Sequence, residues 1–124
     1  MIDSDEAMKS ALNGVGLVFT EHPPDIASRL PCVVVVDVGG DEPSPGFDER
    51  PGYVIEAWAT TKREARVLSA AARDALHHAW KHRTPLPGCY INTVRTDARP
   101  TRVDSGLDNV YRVAGTYTIH LRPR

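Results

Sequence analysis

His78 and His82 stand four residues apart in a stretch of helical periodicity. At that spacing two imidazoles share a helix face and can hold a zinc ion, with His77 or Cys89 as a third ligand. A catalytic zinc helix also carries a glutamate between its histidines and a more distant ligand, and this chain offers neither. Solvated imidazoles near the negative end of a helix dipole are the simpler reading, so no metal is expected. The carboxylates of Asp41, Glu42, Asp48 and Glu49 crowd a stretch rich in glycine and proline. A general acid there is poorly held and too well solvated for a raised pKa. Gly14-Val15-Gly16 lacks the third glycine of a dinucleotide fingerprint and precedes a strand pattern rather than a helix. None of the serines sits in the surroundings of an activated nucleophile. Cys32 lies against an apolar strand and Cys89 in a turn, which suits two unpaired thiols in a reducing compartment. No catalytic residue, cofactor or metal ligand is therefore expected, and the chain does not read as an enzyme.

Arginines supply the remaining candidate chemistry. Arg95, Arg99, Arg102, Arg112, Arg122 and Arg124 gather in the final third, where Tyr90, Tyr111 and Tyr117 offer rings for base stacking. The tyrosines, however, fall mainly on the apolar phase of the last strand. Basic and aromatic residues then do not share a surface, and a basic protein interface is the better expectation than specific nucleic-acid recognition.

The elements that must position these groups follow from periodicity. Asp3 to Asn13 predicts a short helix, capped by Asp3 with Glu6 three residues on, striped by Met8, Ala11 and Leu12, and ended by Gly14. Gly16 to Thr20 is a brief strand. Leu30 to Val38, with four consecutive valines, predicts a strand buried on both faces. Residues 39–52 hold four glycines, three prolines and four acidic residues, and predict a long, acidic, mobile loop. Tyr53 to Thr60 resumes as a strand, making an antiparallel hairpin with an extended tip.

Thr61 caps the best helix in the chain. Glu64 lies three residues on, and Ala65, Leu68, Ala72, Ala75, Leu76 and Ala79 recur at helical spacing, with Trp80 near the end. Lys62, Arg63, Arg66, Ser69, Arg73 and Asp74 are assigned to the opposite face. Tyr90 to Thr96 and Val110 to Arg122 predict two further strands. On the last of them Arg112, Thr116, Thr118 and His120 alternate with the apolar residues, which makes His120 an exposed strand residue. The predicted fold is one α+β domain over residues 1–124: a mainly antiparallel sheet of four to five strands, with a long helix and a short N-terminal helix packed on it.

Charge is divided along the chain. Residues 1–60 carry 3 basic and 11 acidic side chains, residues 61–124 carry 12 and 5, and the formal net charge is −1. The longest apolar run, Val33 to Val36, is too short for a membrane span of about 20 residues. Residues Met1–Lys9 are acidic where a secretory leader is basic, so no leader is expected.

The succession of motifs has a resemblance. An N-terminal helix ending in Asn13-Gly14 is followed by the valine-rich Cys32–Val38. Then Tyr53-Val54-Ile55-Glu56-Ala57-Trp58-Ala59 runs into Thr61-Lys62-Arg63-Glu64-Ala65 and the alanine–leucine helix. Across nearly its whole length this pattern resembles the tail terminator proteins of long-tailed bacteriophages, especially those of actinobacterial hosts. The resemblance implies a small α/β fold and a non-enzymatic virion protein. Such proteins form a homohexameric ring on the head-proximal end of the tail tube, stop its polymerisation and present a surface to head-completion proteins, while DNA passes through the hole. It implies as partners a second copy, the tail-tube protein and a neck protein, and no membrane. A neck or head-closure protein is the nearest alternative. A closed ring needs two unlike patches on each subunit. The expectation is that the acidic segment Asp41, Glu42, Asp48 and Glu49, or a polar edge near Asp37 and Glu56, meets Arg63, Arg66, Arg73, Arg95 or Arg112 of the next subunit. The competing expectation is that these charges pair within one chain.

Overall fold

The computed structural model describes residues 2–124. Its elements, in chain order, are α1 (Ser4–Ala11), β1 (Leu17–Phe19), a 3-10 turn (Ile26–Ser28), β2 (Cys32–Ser44), β3 (Asp48–Ala59), α2 (Lys62–Lys81), β4 (Cys89–Val103) and β5 (Tyr111–Pro123). One five-stranded sheet runs in the order β1-β2-β3-β5-β4. All neighbours are antiparallel except β1, which pairs parallel with β2 from Leu17 opposite Cys32 to Phe19 opposite Val34. The α+β architecture matches the sequence expectation.

Both helices form where their caps predict. The Asp3 carboxylate accepts from the Glu6 backbone N–H at 3.2 Å, and the Thr61 hydroxyl accepts from the Glu64 N–H at 3.1 Å. Helix α1 buries Ala7 and Met8, and Leu12 at its C-cap, against the sheet. Helix α2 buries Ala65, Ser69, Ala72, Leu76 and Ala79. Ser69 is thus part of the packed stripe, not of the charged face: the run 65, 69, 72, 76, 79 keeps strict helical spacing and takes the small serine with it. The helices cover one side of the sheet, over Val33, Val35, Tyr53, Ile55, Ile91, Tyr117, Ile119 and Leu121. On the other side a smaller cluster joins Ile26, Cys32, Val34 and Trp58. Consecutive valines therefore point to both faces, as the run predicted.

The expected loop over residues 39–52 is instead mostly sheet. Strands β2 and β3 continue pairing outward through Gly39 opposite Gly52, Gly40 opposite Pro51 and Asp41 opposite Arg50, to Ser44 opposite Asp48. Register shifts after Asp37 and after Asp41 absorb the irregular residues. Gly40 makes the first of these possible: it has φ +101°, and a Cβ there would sit against the Arg50 carbonyl oxygen and 2.7 Å from the Gly52 nitrogen. Pro51, which has no N–H to give, lies where the pairing of β3 with β5 skips from Glu49 opposite Leu121 to Gly52 opposite Thr118. Strand β4 likewise runs to Val103, past its expected end at Thr96, with register shifts between Thr96 and Ala98 and between Ala98 and Thr101, the second of which spans Pro100.

Candidate assembly surfaces

Sheet order determines where the charges go. Strand β3 is central, and on its face away from the helices Glu56 lies between Val34 of β2 and Ala114 of β5. Glu56 is 6% exposed, so it is not part of a polar edge. Its Oε1 accepts from the Trp58 indole N–H at 2.9 Å and from His22 Nε2 at 2.6 Å, and its Oε2 faces the Arg112 guanidinium at 3.8 Å. Arg112 also lies over the Trp58 ring at 5.3 Å, and its buried Nε has no hydrogen-bond partner among the described residues. His22 ties the segment between β1 and β2 across this face, and Ile26 packs beneath it. Burial, with the Glu56 charge beside it, pushes the neighbouring Cys32 thiol up to about 11.

A second polar cluster joins β3 to β5 nearer the hairpin tip. His120, buried rather than exposed, donates from Nε2 to Asp48 and accepts from the Asn92 amide at 3.2 Å on Nδ1. Arg50 and Arg122 approach the same carboxylate at 3.8 and 4.0 Å. The His120 hydrogen bond holds the Asp48 carboxyl below the usual range, with help from the charges of Arg50 and Arg122. On β4, Arg95 pairs with Asp97 at 2.6 Å, and Thr118 donates to Asp97 at 2.5 Å; these bonds lower the Asp97 pKa. Arg73 lies 3.6 Å from Asp74.

Of the residues expected to serve an interface, the structure therefore engages Asp48, Glu56, Arg73, Arg95 and Arg112 within the chain. Asp37, Asp41, Glu42, Glu49, Arg63 and Arg66 have no ion-pair partner among the described residues. The four acids among them converge with Ser4 on one concavity of about 380 Å³, between the start of α1 and the outer hairpin. The Asp37 carboxylate there accepts from the Gly39 N–H at 2.8 Å, while Asp5 accepts from the buried Tyr53 hydroxyl at 2.7 Å. Arg63 and Arg66 stand exposed on the outer face of α2.

Sequence reasoning missed exposed apolar side chains and an apolar groove. Phe47, at the hairpin tip beyond Pro45-Gly46, is 72% exposed, and Val67 on α2 is 60% exposed. A groove of about 660 Å³ between α1 and α2 is lined mainly by small apolar residues, among them Ala11, Val15, Ala71, Ala75 and Leu86. The signal for the first was a lone aromatic in an acidic, turn-forming stretch. For the second it was the surplus of alanines on α2, more than one packed stripe uses. Among the described residues no group of three or more metal-ligating side chains converges, and no helix is long and apolar enough to cross a membrane.

No protein-family model matches the chain, and no curated protein matches it. Among solved structures it is similar to a chain of one described as "Virion of native gene transfer agent (GTA) particle". That likeness has a TM-score of 0.54 at 18% identity and covers 96% of this chain and 87% of the other. At this identity the two share a fold over nearly their whole lengths.

Proposed function

We propose that the protein is a structural component of a tailed-phage-type virion, a tail terminator that forms a ring on the head-proximal end of the tail tube. In this reading it has no catalytic role. The ring stops tube polymerisation, presents a surface to head-completion proteins and lets DNA pass without sequence-specific contact. The observation that carries the reading is the likeness over 96% of the chain to a subunit of a gene transfer agent virion. The charge layout agrees with it: Asp37, Asp41, Glu42 and Glu49 line one concavity beside α1, and Arg63 and Arg66 stand on the outer face of α2, two unlike patches of the kind a head-to-tail interface requires.

Electron microscopy and native mass measurement of the purified protein, alone and with tail tubes, test the proposal. Small rings of uniform size, capping one tube end and loosening as salt is raised, are expected. A chain that stays monomeric at every concentration and salt, and leaves tube ends bare, refutes it.

A further inference from the structure

Both edges of the sheet are open for much of their length. Strand β1 covers β2 only from Cys32 to Val34, and every residue of β2 from Asp37 to Ser44 is exposed. At the other edge β4 pairs only with β5, and Arg95 to Arg99 are exposed throughout. Among the described residues no backbone–backbone hydrogen bond outside the ladders touches residues 37–42 or 94–99. Peptide groups left unpaired on an edge can accept a further strand.

The two edges are unlike and complementary. Residues 37–42 hold three acids and no base, and residues 94–102 hold three arginines and one acid. Asp37, Asp41, Glu42, Arg99 and Arg102 have no ion-pair partner among the described residues. Pairing β2 with β2, or β4 with β4, sets like charges opposite one another, which is unfavourable. Direction agrees with the unlike pairing. Strands alternate from β2 through β3 and β5 to β4, so β2 and β4 run oppositely, and a copy placed beside the first continues the sheet antiparallel. One register suits both strands. With Asp37 opposite Arg99, Asp41 falls opposite Arg95, and the 55% exposed Val38 falls opposite Ala98. Pro43 and Pro100, which have no N–H to give, then lie just beyond the two ends of the paired stretch, and the shift after Asp37 meets the shift after Thr96. Asp37, Tyr53, Tyr117 and Thr96 share one rung of the sheet. The second copy therefore slides by up to three residues, about 10 Å, along the strands, a stagger that a closed ring takes up by tilting them.

We propose that the outer part of β2 in one copy pairs antiparallel with β4 of the next, in the register that sets Asp37 opposite Arg99, so that the sheet runs on from subunit to subunit. The two edges are different patches, so the contact is heterologous and propagates from copy to copy until it closes. The inference rests on the ring reading and names its interface.

Covalent trapping tests it, because Cys32 and Cys89 are both buried and leave introduced thiols to report alone. The double variant Val38→Cys, Ala98→Cys is expected to give a ladder of disulfide-linked multimers on mild oxidation, and neither single variant a linked dimer. Asp37→Arg or Arg99→Asp alone is expected to weaken association roughly tenfold, and the two together in one chain to restore it. Hydrogen exchange on the unaltered chain, compared between rings and dilute monomer, is expected to show the amides of residues 37–42 and 94–99 gaining protection together. Rings in which these stretches gain no protection, or single-cysteine variants that dimerise through like edges, overturn the edge pairing and leave the ring reading standing. If no ring forms alone or on tubes, both fall.

Discussion

Glu56→Ala exposes the dependence of this fold on one buried carboxylate. The substitution removes the acceptor of the Trp58 indole N–H and of His22, and leaves Arg112 over the Trp58 ring with no anion beside it. A buried donor left without a partner costs about 1–3 kcal/mol, and breaking a buried ion pair by removing one member costs about 3–5 kcal/mol. Arg112 is partly solvated and stands 3.8 Å from the carboxylate, so the two contributions together come to less than the sum of their lower ends, and about 3 kcal/mol is expected. With an unfolding entropy of about 2.1 cal/mol/K per residue over 124 residues, the slope is about 0.26 kcal/mol/K. The melting temperature then falls by roughly 11 °C. Glu56→Gln keeps an oxygen for the indole and loses only the charge opposite Arg112, so roughly 4 °C is expected. Calorimetry on the two variants separates the contributions, and Trp58 fluorescence reports the cluster itself. A shift under about 2 °C for the alanine variant would show that the carboxylate holds nothing up and that the reasoning from burial is mistaken.

Three further outcomes follow from the same geometry. The folded pKa values of Asp48 and Asp97 are lowered by hydrogen bonds from His120 and from Thr118 and Arg95. Their stabilisation is therefore complete above the unfolded carboxyl value of about 4 and is lost as pH falls through the folded values. Melting temperature should drop as pH is taken from about 5 toward 2, less steeply in Asp48→Asn; equal slopes refute the assignment. Burial raises the Cys32 thiol to about 11 and raises Cys89 as well, so neither should react with a thiol reagent at pH 8 until the chain is unfolded; native-state labelling would contradict the packing. Gly40→Ala places a Cβ against the backbone of Arg50 and Gly52 at a positive φ and should cost about 2–3 kcal/mol in a denaturant titration. Gly14→Ala, with nothing within 4 Å, should be close to neutral.

Helices and strand cores were legible because local patterns governed them: Asp3 and Thr61 cap as spacing demands, and the valines of β2 fill both faces. Residues 39–52 were not, because glycine and proline there serve register shifts and a skipped ladder position, and composition alone cannot tell a bulged hairpin from a loop. His120 fell in a polar phase of β5 by alternation, yet it is buried by Asp48 and Asn92, which lie 72 and 28 residues away in the chain. Glu56 carried a readable warning: a charge in phase with Val54 and Trp58 in an otherwise apolar run has to find partners inside the sheet. That the partners are His22 and Arg112 required the pairing of β3 with β5 and the path of the segment before β2.

The division of charge along the chain acquires spatial meaning only through the order β1-β2-β3-β5-β4. That order keeps the strands of residues 1–60 side by side and those of residues 61–124 side by side. A sequential dipole becomes a lateral one, with acids toward the β2 edge and α1 and arginines toward β4 and the outer face of α2. An order that interleaved the two halves would have cancelled it. Where the halves meet, between β3 and β5, opposite charges are consumed in the Glu56–Arg112 and Asp48–His120–Arg122 contacts. Asp37, Asp41 and Glu42 on β2 and Arg63 and Arg66 on α2 are among the charges left without ion-pair partners among the described residues. Exposed charges of this kind add little to the stability of one chain. Their separation instead favours encounter between unlike flanks of two copies, an effect screened over about 8 Å at physiological salt. Association should therefore slow steeply with ionic strength while the melting temperature of the monomer barely moves; parallel loss of both would place these charges in the fold rather than in the interface.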